Sequence, residues 1–279
     1  MIAASTRYER ASDLDHALEL LGEPDAKAIA GGQSLIPVMK LRIARPSVVV
    51  DISRLELRGV EQRDGALHIG PLTTWSELAA MKTIPGFEAI PECAYRIGDV
   101  QVRNLGTIGG SVVHADPASD MPAVLLALGA SLEVRTTDGS RHVPLTDLLL
   151  GPFTTALGAQ ELVTDIVIPA PPAGSGSAYA SVEHPASGFA LVGAAALSGP
   201  SGATVALTGV GATPFVLDGD PQQAIADAEL FGDRFASEEY RRDLALVVAE
   251  RALASARERS GRRARSSASL ARASTRPTK

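Results

Sequence analysis

Two short segments of this chain carry the residue types that hold a phosphate. The first is Ala28-Ile29-Ala30-Gly31-Gly32-Gln33-Ser34-Leu35-Ile36-Pro37. An apolar strand ends there at a double glycine, and Pro37 sits where a short helix begins. Glycine lets a backbone approach a ligand closely, and exposed N–H groups then hold a pyrophosphate. Gln33 and Ser34 add side-chain donors. The segment is neither the dinucleotide fingerprint nor a P-loop, and taken alone it reads as a Gly-Gly turn. The second segment is Asn104-Leu105-Gly106-Thr107-Ile108-Gly109-Gly110-Ser111, followed by 112–120. Its paired glycines are again flanked by small hydroxyl residues. Asp120 opens a helix, where a carboxylate serves the helix dipole or binds a ribose hydroxyl. A third stretch, Gly209-Val210-Gly211-Ala212, opens no helix and reads as a turn.

The side chains offer no catalyst of their own. No Ser, His and acid share a nucleophile-elbow context, and His16, His68, His114, His142 and His184 lack metal-ligand spacing. Cys93, beside Glu92, reads as an inert buried thiol. One cysteine excludes an internal disulfide framework, an iron–sulfur cluster held by this chain's thiolates alone, and a multi-cysteine zinc site. It also points to a reduced, cytoplasmic compartment. These absences favour a borrowed cofactor or a binding role.

The elements that position the glycines follow from pattern and punctuation. The 279 residues suit one large domain or two modest ones. No apolar run reaches the roughly 18 residues of a membrane span, and the first residues lack signal-peptide order. Residues 15–22 read as a helix stopped by glycine; 26–30 and 47–52 read as strands. Together they predict a small α/β lobe. A strand at 66–70 and a helix at 74–81 follow. Residues 96–111 read as irregular. A helix at 118–128, with Ser119 as cap, precedes a hairpin about Asp138-Gly139 and a strand at 162–168. The run 169–177 holds three prolines and marks a boundary. Beyond it lie strands at 190–197 and 203–210 and helices near 221–230 and 238–259. The last helix is expected to bury Leu244, Val247, Val248, Ala252 and Leu253.

Charge is unevenly placed. The net −6 combines +7 over residues 257–279 with −13 over the rest. So acidic a body argues against nucleic-acid binding. The basic end, 260–279, reads as a disordered tail.

Taken together, the two loops resemble one family. The matching residues are 30–37 with Met39-Lys40-Leu41-Arg42, then Ile97-Gly98-Asp99-Val100-Gln101-Val102-Arg103-Asn104, then 107–111 and Ala115-Asp116-Pro117-Ala118-Ser119-Asp120. Gly151-Pro152-Phe153-Thr154-Thr155 and His184-Pro185-Ala186-Ser187-Gly188-Phe189-Ala190 continue the match. In order, over about residues 1–256, they resemble the FAD-binding medium subunit of molybdenum hydroxylases. Aerobic carbon monoxide dehydrogenase and bacterial xanthine dehydrogenase belong to that group.

The resemblance implies an α+β fold: a two-lobed FAD-binding domain of the vanillyl-alcohol-oxidase (PCMH) type, with a smaller α+β C-terminal domain. It places the FAD-binding domain at 1–170, with lobes of about 1–55 and 56–170, and the C-terminal domain at 178–256. Residues Ala28, Ile29, Ala30, Gly31, Gly32, Gln33, Ser34 and Leu35 match the first pyrophosphate loop. Thr107, Ile108, Gly109, Gly110 and Ser111 match the second. Asp120 matches an FAD ligand and Ile97 a residue lying against the cofactor. Leu162 or Val163 falls near the flavin ring. Ser181 stands where the family often has Lys, which puts a cationic flavin contact there in doubt. No covalent-linkage residue matches, so the FAD is expected to be non-covalent. The implied role is electron transfer within a heterotrimer that is open to dimerisation. A small subunit holds the [2Fe-2S] clusters and a large one the molybdopterin. The alternative is a self-contained FAD-dependent oxidoreductase.

Overall fold

The computed structural model describes residues 3–274, with side chains to Arg263. The chain opens with β1 (Arg7–Arg10), α1 (Leu14–Leu21), β2 (Lys27–Ile29), α2 (Leu35–Lys40) and β3 (Val48–Asp51). β3 lies between β1 and β2, both parallel to it. Its Val48-Val49-Val50 run is buried throughout, as a central parallel strand with covered faces should be. Asp13 caps α1 by accepting from the His16 amide at 2.9 Å. Leu18 and Leu21 then pack on Val48 and Val50.

The second lobe contains β4 (Val60–Arg63), β5 (Ala66–Ile69), α3 (Trp75–Ala80), α4 (Ala89–Arg96), α5 (Val100–Leu105), α6 (Ile108–His114) and α7 (Asp120–Ala127). It continues through β6 (Ser131–Thr136), β7 (Gly139–Pro144), α8 (Leu145–Leu148), β8 (Leu149–Gly151), β9 (Thr154–Thr155) and β10 (Leu162–Ile168). Its sheet is antiparallel in the order β4-β5-β10-β6-β7. Thr74 and Glu77 form a reciprocal capping box on α3. The region 96–111, expected to be irregular, instead holds α5 and most of α6. Asp99 caps α5 through the Val102 amide at 2.8 Å, and Thr107 caps α6. Capping and packing outweigh the helix cost of the glycines there.

The last unit contains β11 (Gly176–Glu183), β12 (Ala190–Gly199), β13 (Gly202–Thr208), β14 (Phe215–Val216), α9 (Pro221–Asp227) and α10 (Glu238–Ser274). The strands form one antiparallel sheet in chain order. β11 has no counterpart in the sequence reading, which treats its small residues as the end of a linker. α10 covers the sheet with Ala245, Val248, Ala249, Ala252 and Ala256. Of the expected stripe, Val247 is 40% exposed. The helix lies too close for larger residues: a Cβ on Gly176 would come within 2.7 Å of the Ala256 carbonyl oxygen.

α10 continues past Arg259 to Ser274, into the stretch read from the sequence as a disordered tail; residues 275–279 lie outside the described residues. Arg259 and Arg263 pair with Glu92 on α4 and with Glu88, the residue before it. No helix among the described residues is long and apolar enough to cross a membrane.

Asp51 closes the first lobe. Its carboxylate accepts from Tyr8 Oη, from the Ser53 amide at 2.8 Å and from Arg10 Nε at 3.0 Å. Burial pushes its pKa up, but these bonds outweigh burial and hold it at about 2. A lowered pKa gives stability that is present above the unfolded value, about 4, and lost as pH falls toward 2. Asp51→Asn should therefore cost about 1–2 kcal/mol at neutral pH and much less near pH 2. Urea unfolding across that range checks this, and an equal loss at both ends would refute it.

Candidate functional site

Residues 30–34 leave β2 and turn into α2. The turn holds Gly32 at φ +71°, a left-handed conformation natural to glycine. Gly31 meets a different constraint. A Cβ there would lie 1.9 Å from the Leu105 carbonyl oxygen and 3.0 Å from Gly106 Cα. Only bare backbone fits, so the first loop rests directly on the junction of α5 and α6.

That junction is the second loop. Its first amides are already engaged: Ile108 donates to Thr73 O at 3.0 Å, and Gly109 to Pro71 O at 2.9 Å. Gly110 donates to Thr107 Oγ1 at 3.2 Å. A Cβ on Gly109 would meet Pro71 Cβ at 2.4 Å. These glycines therefore let α6 seat on the turn before α3. The first loop differs, because the amides of Gly31, Gly32, Gln33, Ser34 and Leu35 have no acceptor among the described residues. The two loops divide the work: one offers free donors, the other a wall without side chains. Donors beside a bare glycine wall fit the pyrophosphate of FAD.

The remaining expected residues fall into three groups. Ala28, Ile29 and Ala30 form the half-buried end of β2, with Ala28 and Ala30 packed on the first-lobe core. Gln33 Nε2 reaches Gly31 O at 3.4 Å, while Ser34 makes no capping bond with its side chain. Ile97 lies at the end of α4, half-buried against the main core. Arg103 fixes that turn by donating to Gly98 O at 2.7 Å and Ile97 O at 3.2 Å. Gly188 faces Gly98 closely, which brings the 184–189 loop of the last unit to the same place. Ser111 Oγ bonds Ser119 Oγ at 3.2 Å, just before Asp120. Leu162 lies in the apolar cluster with Leu18, Leu21 and Val48, on which Ala28 and Ala30 also pack.

Asp120 is 5% exposed. Burial pushes its pKa up to about 6, even though Tyr179 Oη donates to its Oδ1 at 2.5 Å and favours the charged form. Burial also pushes the neighbouring Cys93 thiol up, consistent with an inert role.

Sequence reasoning missed three residues of this site. Tyr179 sits on the unforeseen β11. Arg103 lies inside the matched run 97–104 but has no role assigned from the sequence. Arg96, at the end of α4, reaches Glu183 at 3.4 Å, and Ser181 donates to the same carboxylate oxygen at 3.1 Å. A cation thus does stand near Ser181, supplied from another element. Beside the site runs an open cleft of about 590 Å³, walled by Pro117, Phe189, Leu191, Phe235 and Arg241.

Comparison with known proteins agrees with this geometry. Residues 4–171 match the family described as the FAD binding domain in molybdopterin dehydrogenase. The chain is 41% identical over 194 residues to the 6-hydroxypseudooxynicotine dehydrogenase complex subunit alpha of Paenarthrobacter nicotinovorans. That match covers 68% of this chain and 66% of the relative, so the aligned part spans a little under two thirds of the relative's length. The carbon monoxide dehydrogenase medium chain of Hydrogenophaga pseudoflava is 35% identical over 237 residues, covering 82% of this chain and 83% of the relative. A solved carbon monoxide dehydrogenase from the same organism superposes with a TM-score of 0.87 and 34% identity, over 93% of this chain and 99% of that one. With its paired loops and a family match over most of its length, the chain belongs to the FAD-binding-domain family of molybdopterin dehydrogenases.

Proposed function

We propose that this chain is the FAD-carrying electron-transfer subunit of a heteromeric molybdenum hydroxylase working in the cytoplasm. The observation that carries the reading is the row of free amides from Gly31 to Leu35 against the bare backbone of Leu105 and Gly106. Residues 1–170 would hold the cofactor, and 178–256 would close over it. The Gly31–Leu35 amides would take the pyrophosphate, with Thr107–Ser111 as the opposing wall. Asp120 would accept from a hydroxyl of the cofactor, and Ile97 would pack on the ring.

FAD, when bound, supplies one- and two-electron chemistry between a [2Fe-2S] donor and a terminal acceptor. The chain itself needs no acid–base residue for this. Its work is to bind, orient and shield. The described residues hold no group of three or more His, Cys, Asp or Glu able to bind a metal ion. One cysteine cannot ligate a [2Fe-2S] cluster, and in this reading the clusters and the molybdopterin are held by partner subunits. Ile36 is 41% and Leu105 56% exposed, each on a helix flanking the paired loops. Apolar side chains at that mouth suit a docked partner.

Three outcomes test the proposal. Purified protein should be yellow and release free FAD on denaturation; protein that stays colourless and takes up no FAD would sink it. Alone, the FAD-loaded chain, once chemically reduced with dithionite, should pass its electrons to artificial dyes but turn over no organic substrate, whereas substrate turnover without partners would establish the self-contained oxidoreductase instead. Gly31→Ala should weaken FAD binding at least ~100-fold, or ~3 kcal/mol, because backbone must move to admit the new Cβ. Flavin fluorescence titration reads the change, and near-native affinity would refute the role given to this contact.

A further inference from the structure

Two cations of the basic end, Arg259 and Arg263, begin a relay of partly buried polar contacts that reaches Asp120. Arg263 donates to Glu88 Oε1 and to the Ser175 carbonyl. Arg259 donates to Glu92 Oε1 and to the Ser177 carbonyl. Arg259 thus ties α10 to α4 and to β11, and Arg263 ties it to the residues just before each of them. The carboxylates pass the restraint on with their second oxygens. Glu88 Oε2 accepts from the Gly86 amide at 3.0 Å and the Ser177 amide at 3.1 Å. Glu92 Oε2 accepts from the Tyr179 amide at 3.2 Å. Tyr179 then reaches across the sheet to Asp120. Gly193 leaves room for it, since a Cβ there would lie 2.2 Å from Tyr179 Oη.

We propose that Arg259 and Arg263 are positioning residues for the flavin site, acting through Glu88, Glu92 and Tyr179 on Asp120. The inference rests on the FAD reading above and adds a distant part to it. Glu88 is 4% exposed, and a buried carboxylate stripped of its partner is strongly unfavourable. Loss of the arginines therefore leaves Glu88 and Glu92 unpaired and loosens the carboxylates that join α4 to β11. These two elements carry Tyr179 and Ile97, which frame the site from two sides.

Asp120 reports such a movement. The groups acting on it are Tyr179 and Glu183 of β11 and Cys93 and Arg96 of α4. β12, β13 and β14 carry no titratable side chain. On α6, His114 is turned onto the Phe153 ring, and on α8, Asp147 is exposed. The Tyr179 hydrogen bond lowers the pKa of Asp120, so loosening it moves that pKa up from about 6.

The experiment measures FAD affinity of the full-length chain by flavin fluorescence across the range around pH 6. Arg259→Ala/Arg263→Ala should bind FAD about tenfold more weakly, with the midpoint of the pH profile moved upward. Tyr179→Phe should move the midpoint in the same direction. Arg259→Lys/Arg263→Lys should recover most of the affinity. If the double alanine variant does not fold, Arg259→Gln, which leaves Glu88 paired, carries the same two readouts. Unchanged affinity and midpoint in Tyr179→Phe or in the foldable arginine variant would overturn the inference, whatever their melting temperatures. Wild-type protein that binds no FAD would instead refute the flavin reading itself.

Discussion

The site depends on two backbones touching. Gly31 lies against the carbonyl of Leu105 with no room for a side chain at position 31. Such a contact is stiffer than one made through rotamers, because nothing between the two chains can adjust. It sets the distance between the first loop and the start of α6. That distance decides whether amides on one side and a bare wall on the other can face the same phosphates. The caps around it serve the same end. Thr107 seats α6, Thr74 and Glu77 seat α3, and Asp99 seats α5. Each satisfies helix-terminal donors that would otherwise compete for the ligand or for water.

The first loop was legible because its chemistry is local. Gly31-Gly32 after an apolar strand states a close approach and free donors in adjacent residues. The second loop was legible only as composition. Its glycines look equally suited to binding, yet Ile108 and Gly109 spend their amides on Thr73 and Pro71. That difference is tertiary and leaves no mark in the segment itself. The same holds for residues 96–111, where glycine content argued against helix and capping decided for it. β11 was missed for a related reason: Ser175, Gly176, Ser177 and Ala178 resemble a linker until a partner strand is placed beside them.

Small residues also govern how the last unit is attached. Ala194, Ala195 and Ala196 on β12 are all fully buried, two facing α10 and one facing the main core. Methyl-sized side chains on both faces bring helices close to the sheet from each side. Dispersion then acts over many short contacts, none large enough to be conspicuous in the sequence. Tyr179 is the exception on this face. Its length allows β11 to reach Asp120 at the start of α7, and the empty place at Gly193 is what accommodates the ring's polar end.

The uneven charge of the chain acquires a structural meaning from these contacts. An acidic body with a cationic end reads as a domain with a solvated tail. Two of those cations are instead spent inside, against Glu88 and Glu92. A carboxylate as buried as Glu88 is stable only while its counter-charge stays in place. α10 therefore cannot swing away without stranding that charge beneath α4. Hydrophobic burial alone would allow the C-terminal unit to slide on its alanine seam, since small side chains interlock weakly. The ion pairs remove that freedom and fix the register of α10 against α4 and β11. The position of Asp120 is then determined as much by residues 259 and 263 as by the helix that carries it.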